Sequence, residues 1–162
     1  MAQPGQYDQP GAPARWRRQG GAEANAIGRS RGGLTSKVHL VVDALGLPVA
    51  FQVTGGQQHD SRSALALIAK VEPSCLLGDK AYDADAIRDD LKARDAMAVI
   101  PPKVNRKAPA PFDKDLYKAR VLVECTINLL KQARRFATRY EKTLRNYAAV
   151  VAIGCALLWL RI

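Results

Sequence analysis

The order of elements in this chain predicts a mixed α/β fold, a sheet covered by helices, with further helices at the C-terminal end. Three observations carry that expectation. Apolar residues alternate through Val38, Leu40 and Val42 and again through Val49, Phe51 and Val53, with Asp43-Ala-Leu-Gly46 between them, as in a hairpin. Strand-like and helical stretches then alternate from Asp60 to Ile100, as strand–helix–strand units require. Beyond residue 112 two long stretches read as helices. With 162 residues, 48% of them apolar, the chain is long enough for one domain with a real core.

Taken in order, residues 1–33 are rich in Gly, Pro, Gln and Ala and carry Arg15, Arg17, Arg18, Arg29 and Arg31. They lack the apolar area needed to offset ordering entropy, which makes them a flexible basic arm. The arm reads equally as a phosphate contact, through Arg29, Arg31 and glycine amides, or as a solvated tail. The folded core is expected over 34–162. In the first strand Val38, Leu40 and Val42 alternate with Lys37, His39 and Val41, giving one polar-leaning face. Gly55-Gly56 ends the return strand. Asp60 is placed to cap a helix from Ser61 to about Lys70, with Leu65 and Ile68 inward. Cys75-Leu-Leu-Gly-Asp79 reads as a short apolar strand ending in a carboxylate. Asp83 is placed to cap a helix over Ala84 to Arg94, with Ile87 and Leu91 one turn apart. Ala98-Val-Ile100 is a further strand, stopped by Pro101-Pro102. Lys103 to Phe112 is Pro-rich and basic, the composition of a mobile surface loop. Two helices follow, roughly Asp115 to Phe136 and Leu144 to Leu160.

The net charge of +10 and pI near 9.9 point to a polyanionic partner. From Lys114 to Arg145 nine Lys or Arg stand against Asp115, Glu124 and Glu141. Arg134, Arg135, Arg139, Lys142 and Arg145 are the candidates there for sequence-independent phosphate contact. Cys75, Cys125 and Cys155 have no metal-ligand spacing, and core packing in a reducing cytoplasm is expected of them. The first thirty residues hold no apolar run of the signal-peptide kind. Tyr147 to Leu160 is short for a membrane span and reads as a buried helix.

Tyr117, Arg120, Glu124 and Lys131 share one stripe if their stretch is helical, within an arc of about 60°. Leu122, Thr126, Leu129, Ala133 and Phe136 would dock the opposite side on the core. A carboxylate flanked by cations suits phosphate and metal, while the plain alternative is a solvated face with ion pairs. Asp79, at the carboxyl end of an apolar strand, stands in the usual place for a ligand site in an α/β sheet. Its alternative is a turn-forming Asp with Tyr82 packed beside it. Together Asp79 and Glu124 form a donor pair suited to Mg²⁺, which takes few protein carboxylates and keeps positions for water and phosphate. For His59 a local loop hydrogen bond is expected ahead of a ligand role, and for Tyr82 and Tyr140 packing weighs at least as much as base stacking.

These blocks resemble bacterial insertion-sequence DDE transposases, in the group related to the IS-four and IS-five types. The resemblance runs through Gly28-Arg-Ser-Arg-Gly-Gly33, Lys37-Val-His39, Gly55-Gly-Gln-Gln-His-Asp60, Gly78-Asp-Lys-Ala-Tyr-Asp83, Val99-Ile-Pro-Pro-Lys103, the Tyr117/Arg120/Glu124/Lys131 signature and Arg135-Phe-Ala-Thr-Arg-Tyr140. It implies an RNase H-like mixed sheet and Mg²⁺- or Mn²⁺-dependent cutting and joining of DNA. On it, Asp79 is the second acid of the triad and Glu124 the third, with Tyr117, Arg120 and Lys131 in support. It further implies element-end and target DNA as partners, a homodimer, and a cytoplasmic, nucleoid-associated location. The family's first Asp lies on a strand upstream of the Gly28–Gly33 block, and no such strand is legible here. Asp8 is the only acid at that distance, in polar Pro- and Gly-rich surroundings, and Asp43 ends its strand at a hairpin turn. A truncated element, or the downstream frame of a split gene working with an upstream-frame part, is therefore expected, with weak activity or none alone. The rivals are a non-catalytic DNA-binding remnant or regulator of transposition, and a basic ribonucleoprotein component.

Overall fold

The computed structural model describes residues 21–30 and 33–161. Its architecture is mixed α/β, in a three-stranded antiparallel sheet and a two-stranded parallel one. A short helix α1 (Gly21–Ala24) and strand β1 (Gly28–Ser30) lead into the hairpin of β2 (Gly33–Val42) and β3 (Pro48–Gly55). The hairpin register sets Val38 against Val53 and Leu40 against Phe51, and slips at Val41/Val42. Its turn is tied by the Asp43 carboxylate, which accepts from the amides of Leu45 and Leu47 at 2.9 and 2.8 Å. Gly46 there has φ +82, a conformation that favours glycine.

Helix α2 (Asp60–Val71) crosses to β4 (Cys75–Leu77), a 3-10 turn spans Lys80–Tyr82, and α3 (Asp85–Ala93) crosses to β5 (Met97–Val99). Strands β4 and β5 pair in parallel, Cys75 opposite Met97 and Leu77 opposite Val99. Helices α4 (Lys114–Lys118), α5 (Val121–Lys131), α6 (Arg134–Ala137) and α7 (Leu144–Trp159) complete the chain.

Two apolar clusters hold these parts. Leu40 of the hairpin packs with Val123, Ile127 and Leu130 of α5, Phe136 of α6, and Tyr147, Val151, Cys155 and Leu158 of α7. Ala64 and Ile68 of α2 pack with Tyr82, with Ile87 and Leu91 of α3, and with Ile100 beyond β5. Ile87, Leu91, Val99, Ile100 and Val151 are fully enclosed. Removing such a side chain to alanine costs about 2–5 kcal/mol when the site cannot collapse.

Several expectations change in the folded chain. The stretch expected as one helix from Asp115 to Phe136 is three, because residues 119–120 form a turn and Ala133 is extended at ψ 112. Asp60 lies inside α2 rather than capping it; His59 is the N-cap and makes no side-chain cap bond. Asp83 does not cap α3, whose N-cap is Ala84, because its carboxylate is committed elsewhere. Residues 21–30, expected in the arm, pack against the core, with Ala26 and Ile27 buried. Residues 1–20 and 31–32 of that arm lie outside the described residues, and Asp8 and Arg31 with them. Helix α7 is buried on one stripe only, leaving Ile153, Leu157 and Trp159 exposed. Of the cysteines, Cys155 is buried, Cys75 half-buried and Cys125 exposed. No helix among the described residues is long and apolar enough to cross a membrane.

Candidate metal and DNA site

Asp79 leaves the carboxyl end of β4, where the Gly78 amide still donates to the Val99 carbonyl at 3.1 Å. Its carboxylate accepts from the Ala81 amide at 2.7 Å and so starts the 3-10 turn. The turn-forming reading of Asp79 therefore holds, at a position two residues beyond the carboxyl end of β4. Tyr82, at the end of that turn, is buried. Burial pushes its phenol well above the usual range, and the charges of Asp60 and Asp79 push the same way. The phenol is thus held neutral and protonated.

Beside it, Lys37 Nζ donates to Asp60 at 3.0 Å and to the Gln58 carbonyl at 3.1 Å. His39 is buried and shares a 2.8 Å hydrogen bond between its Nε2 and Thr54 Oγ1. Burial pulls its pKa down; nearby Asp60 opposes this and Lys37 adds to it. The motif residues Lys37, His39 and Asp60 therefore form one cluster, near enough for the Asp60 charge to act on Tyr82.

Of the four stripe residues, three are in contact. Arg120 Nη2 lies 2.5 Å from Glu124 Oε1, and the Arg120 guanidinium sits 5.7 Å from the Tyr117 ring centroid. Tyr117 is itself held edge-on by Phe112 at 5.6 Å. Lys131 closes α5, half-buried. The docking face differs in part from expectation: Thr126 and Phe136 are buried as expected, but Val123, Ile127 and Leu130 are buried with them, Leu129 and Ala133 are exposed, and Leu122 is half-buried. On a helical wheel the buried face centres roughly 90° from the stripe rather than opposite it. The stripe therefore runs along the edge of the core, and Arg120 and Glu124 are half-buried, with side chains 26% and 40% exposed. At that exposure the pair contributes little to stability and acts chiefly to aim the two groups.

One cavity of about 530 Å³ lies near both acids' elements, though neither Asp79 nor Glu124 is among its lining residues. It is lined by the end of β2, by α2, by β4 as far as Leu77, by Tyr82, and by α4–α5 including Arg120. Leu77 is two residues before Asp79, and Arg120 grips Glu124. Among the described residues no group of three or more His, Cys, Asp or Glu is gathered to hold a metal ion.

The family described as "Transposase DDE domain" matches residues 6–159. The chain belongs to this family. The span includes Asp79, Glu124 and also Asp8. A Brucella ovis protein named "Putative transposase for insertion sequence element IS6501" is 39% identical over 133 residues, 79% of this chain and 100% of that relative. A Burkholderia cepacia protein named "Putative transposase for insertion sequence element IS402" is 30% identical over 146 residues, 83% of this chain and 66% of that relative. No solved structure matches the chain.

The cations of this DDE transposase domain fall into two groups. Arg29, Arg134, Arg135, Lys142 and Arg145 are exposed, with Arg135 Nη1 3.8 Å from Glu141. Arg139 is turned inward: it donates to the carbonyls of Asn25 at 2.9 Å, Ala26 at 3.3 Å and Glu141 at 2.9 Å and to Ser36 Oγ at 2.5 Å. Its guanidinium also stacks 4.9 Å from the Tyr147 centroid. Arg139 thus clamps the start of the fold to its last helices. Tyr140 and His59 are exposed.

Sequence reasoning missed the most enclosed ionic group. The Asp83 side chain is fully buried and accepts from Arg88 Nε at 2.8 Å, Arg106 Nη1 at 3.0 Å and the Lys103 amide at 2.8 Å. Arg106 also pairs with Asp85, and Arg88 donates to the Ile100 carbonyl. The supposedly mobile loop after β5 is therefore pinned to the turn that carries Asp79. The Asp83 spacing in Gly78-Asp-Lys-Ala-Tyr-Asp83 was visible, but the arginines that meet it stand 5 and 23 residues away.

Proposed function

We propose that this chain cuts and joins DNA as the transposase of an insertion sequence, in an RNase H-like fold. The supporting observation is that β4, which ends two residues before Asp79, and Arg120, which pairs with Glu124, line one cavity in a chain of net charge +10. Asp79 and Glu124 would hold Mg²⁺ or Mn²⁺. Two carboxylates from separate elements suit an ion that keeps water and phosphate oxygens in its remaining positions. Such ions supply activation of the attacking hydroxyl and stabilisation of the leaving oxygen. Arg120 orients a phosphate beside Glu124, Tyr117 fixes Arg120 through its ring face, and Lys131 neutralises charge one helix-length on. Arg29, Arg31, Arg134, Arg135, Lys142 and Arg145 contact the DNA backbone, with Arg139 bracing the segment behind them. The active form is a homodimer on element-end and target DNA in the cytoplasm, at the nucleoid, and an upstream-frame part supplies the first acid. Alone, the chain is weakly active or inactive.

A second reading, a non-catalytic DNA-binding remnant or regulator, draws support from the absence of a gathered three-acid group among the described residues. Calorimetric titration with Mg²⁺ and Mn²⁺, beside a strand-transfer assay on element-end DNA, separates the two. Metal binding lost in Asp79→Asn and Glu124→Gln upholds the catalytic reading. DNA binding with no metal effect upholds the remnant. Robust strand transfer by the chain alone, abolished by Asp8→Ala, overturns the missing-acid reading.

A further inference from the structure

The loop after β5 ends in a tip that the fold holds from both sides. The Arg106 amide donates to the Lys103 carbonyl at 3.0 Å, which closes a four-residue turn with Val104 and Asn105 at its apex. Both shoulders of that turn are bonded to one buried carboxylate. The Lys103 amide donates to one oxygen of Asp83 at 2.8 Å, and Arg106 Nη1 donates to the other at 3.0 Å. Arg106 Nε also donates to the Ala108 carbonyl at 3.1 Å, which ties the limb that leaves the turn. Asp83 follows Asp79 by four residues, so the tip is built on the segment that carries the candidate metal ligand. Turn chemistry explains Asn105 but not Val104, a β-branched strand former that here is fully exposed.

We propose that this tip reads DNA beside the reacting phosphate, with Asn105 and Val104 recognising an A·T pair from the major groove. The inference rests on the DNA function proposed above and adds base recognition to it. Charge selects the partner: Lys103 and Lys107 flank the tip, both exposed, in a chain of net charge +10. One valine between lysines is far too small for a protein interface, which needs about 1,000 Å². Width selects the groove. The ends of a β-turn lie within about 7 Å of each other, which suits a major groove about 12 Å wide and not a minor groove about 6 Å wide. There an Asn amide pairs with adenine through N6 and N7, and an apolar side chain meets the 5-methyl group of thymine. Neighbouring apex residues thus match the two bases of one pair. Because both shoulders are anchored, the tip has little freedom left to lose on binding, which lowers the ordering cost.

Fluorescence anisotropy of the full chain on duplexes selected from a random pool tests this. Selected duplexes should share a fixed A·T pair, and exchanging it for G·C should weaken binding about 5- to 150-fold, the discrimination of one bidentate contact. Replacing its adenine by 7-deazaadenine, which lacks the N7 acceptor, should weaken binding by the unaltered chain about fivefold and leave Asn105→Ala unaffected. Replacing its thymine by deoxyuridine should weaken binding about fourfold, the worth of one buried methyl group, and leave Val104→Ser unaffected. Both positions are exposed and neither has a positive φ, so both variants should keep the melting temperature of the unaltered chain. Selection of duplexes with no common pair would overturn the tip's role while leaving DNA binding intact. So would variants that keep both the base preference and the response to the two base analogues. Absence of any salt-dependent duplex binding would overturn the tip's role and the DNA function together.

Discussion

Replacing Asp83 by alanine removes the one acceptor that two guanidiniums and a backbone amide share inside the protein. The Asp83 side chain has no exposure, and those of Arg88 and Arg106 are 13% and 20% exposed. Breaking a buried pair from one side costs about 3–5 kcal/mol, because the partner charges stay behind without compensation. Some relief comes from the exposed edges of the arginines, so we expect a loss of about 3 kcal/mol, a large share of the roughly 5–15 kcal/mol of a typical domain. The carboxylate's pKa lies below its ordinary value: burial would raise it, but the Lys103 amide, Arg88 and Arg106 together outweigh burial. A depressed folded-state value gives stability that is present above the unfolded pKa of about 3.9 and lost as pH falls through the folded one. The gap between Asp83→Ala and the unaltered chain should therefore be constant from pH 7 to about 5 and close only below about 4. Urea unfolding across this range measures it, and exchange at the Lys103 amide reports the loop directly. A loss under about 1 kcal/mol at pH 7, with that amide still protected, would refute the reasoning.

His39 bears the opposite kind of test: its pKa is lowered in the fold, so stability should fall as pH drops from about 6.5 through the folded value. Melting temperatures from pH 7.5 to 5 should decline less in His39→Gln, and identical slopes would dismiss the effect. Arg139→Met should free residues 21–30, seen as new protease cleavage there, with a stability loss of about 1.5–3 kcal/mol for its charged hydrogen bonds. The same cleavage pattern as the unaltered chain would dismiss the clamp. Changing Arg134, Arg135 and Arg145 together to Gln should flatten the log–log salt slope of duplex DNA binding by about 2.7, at roughly 0.9 per phosphate contact. An unchanged slope would place the DNA elsewhere.

Much of the fold was legible because it follows local periodicity. The hairpin, α2, β4, α3, β5 and α7 all fall within a few residues of where alternation and helical spacing put them. What escaped depends on partners distant in sequence. Ala133 has good helix propensity, yet the chain turns there so that Phe136 reaches the cluster shared with Tyr147 and Val151. The buried face of α5 was assigned to Leu122 and Leu129 because a wheel cannot say which of two apolar stripes meets the sheet. At the site, Asp79 at a strand end and Arg120 beside Glu124 were visible from spacing alone. The inward turn of Arg139 was not, since one arginine among nine cations looks like the others until Ser36 and the Asn25 and Ala26 carbonyls are brought to it.

The hairpin tip carries one more lesson. Thr126 Oγ1 lies 2.5 Å from the Gly46 carbonyl and 2.9 Å from the Leu122 carbonyl, its one proton shared between them, so the tip is fastened to α5 beside Glu124. Surface turns generally absorb extra residues without complaint. This one is instead a ruler: lengthening it by a residue would drag the acid-bearing helix along the sheet, and natural or engineered length variation should be scarce there and tolerated in the segment after β5 only beyond Arg106.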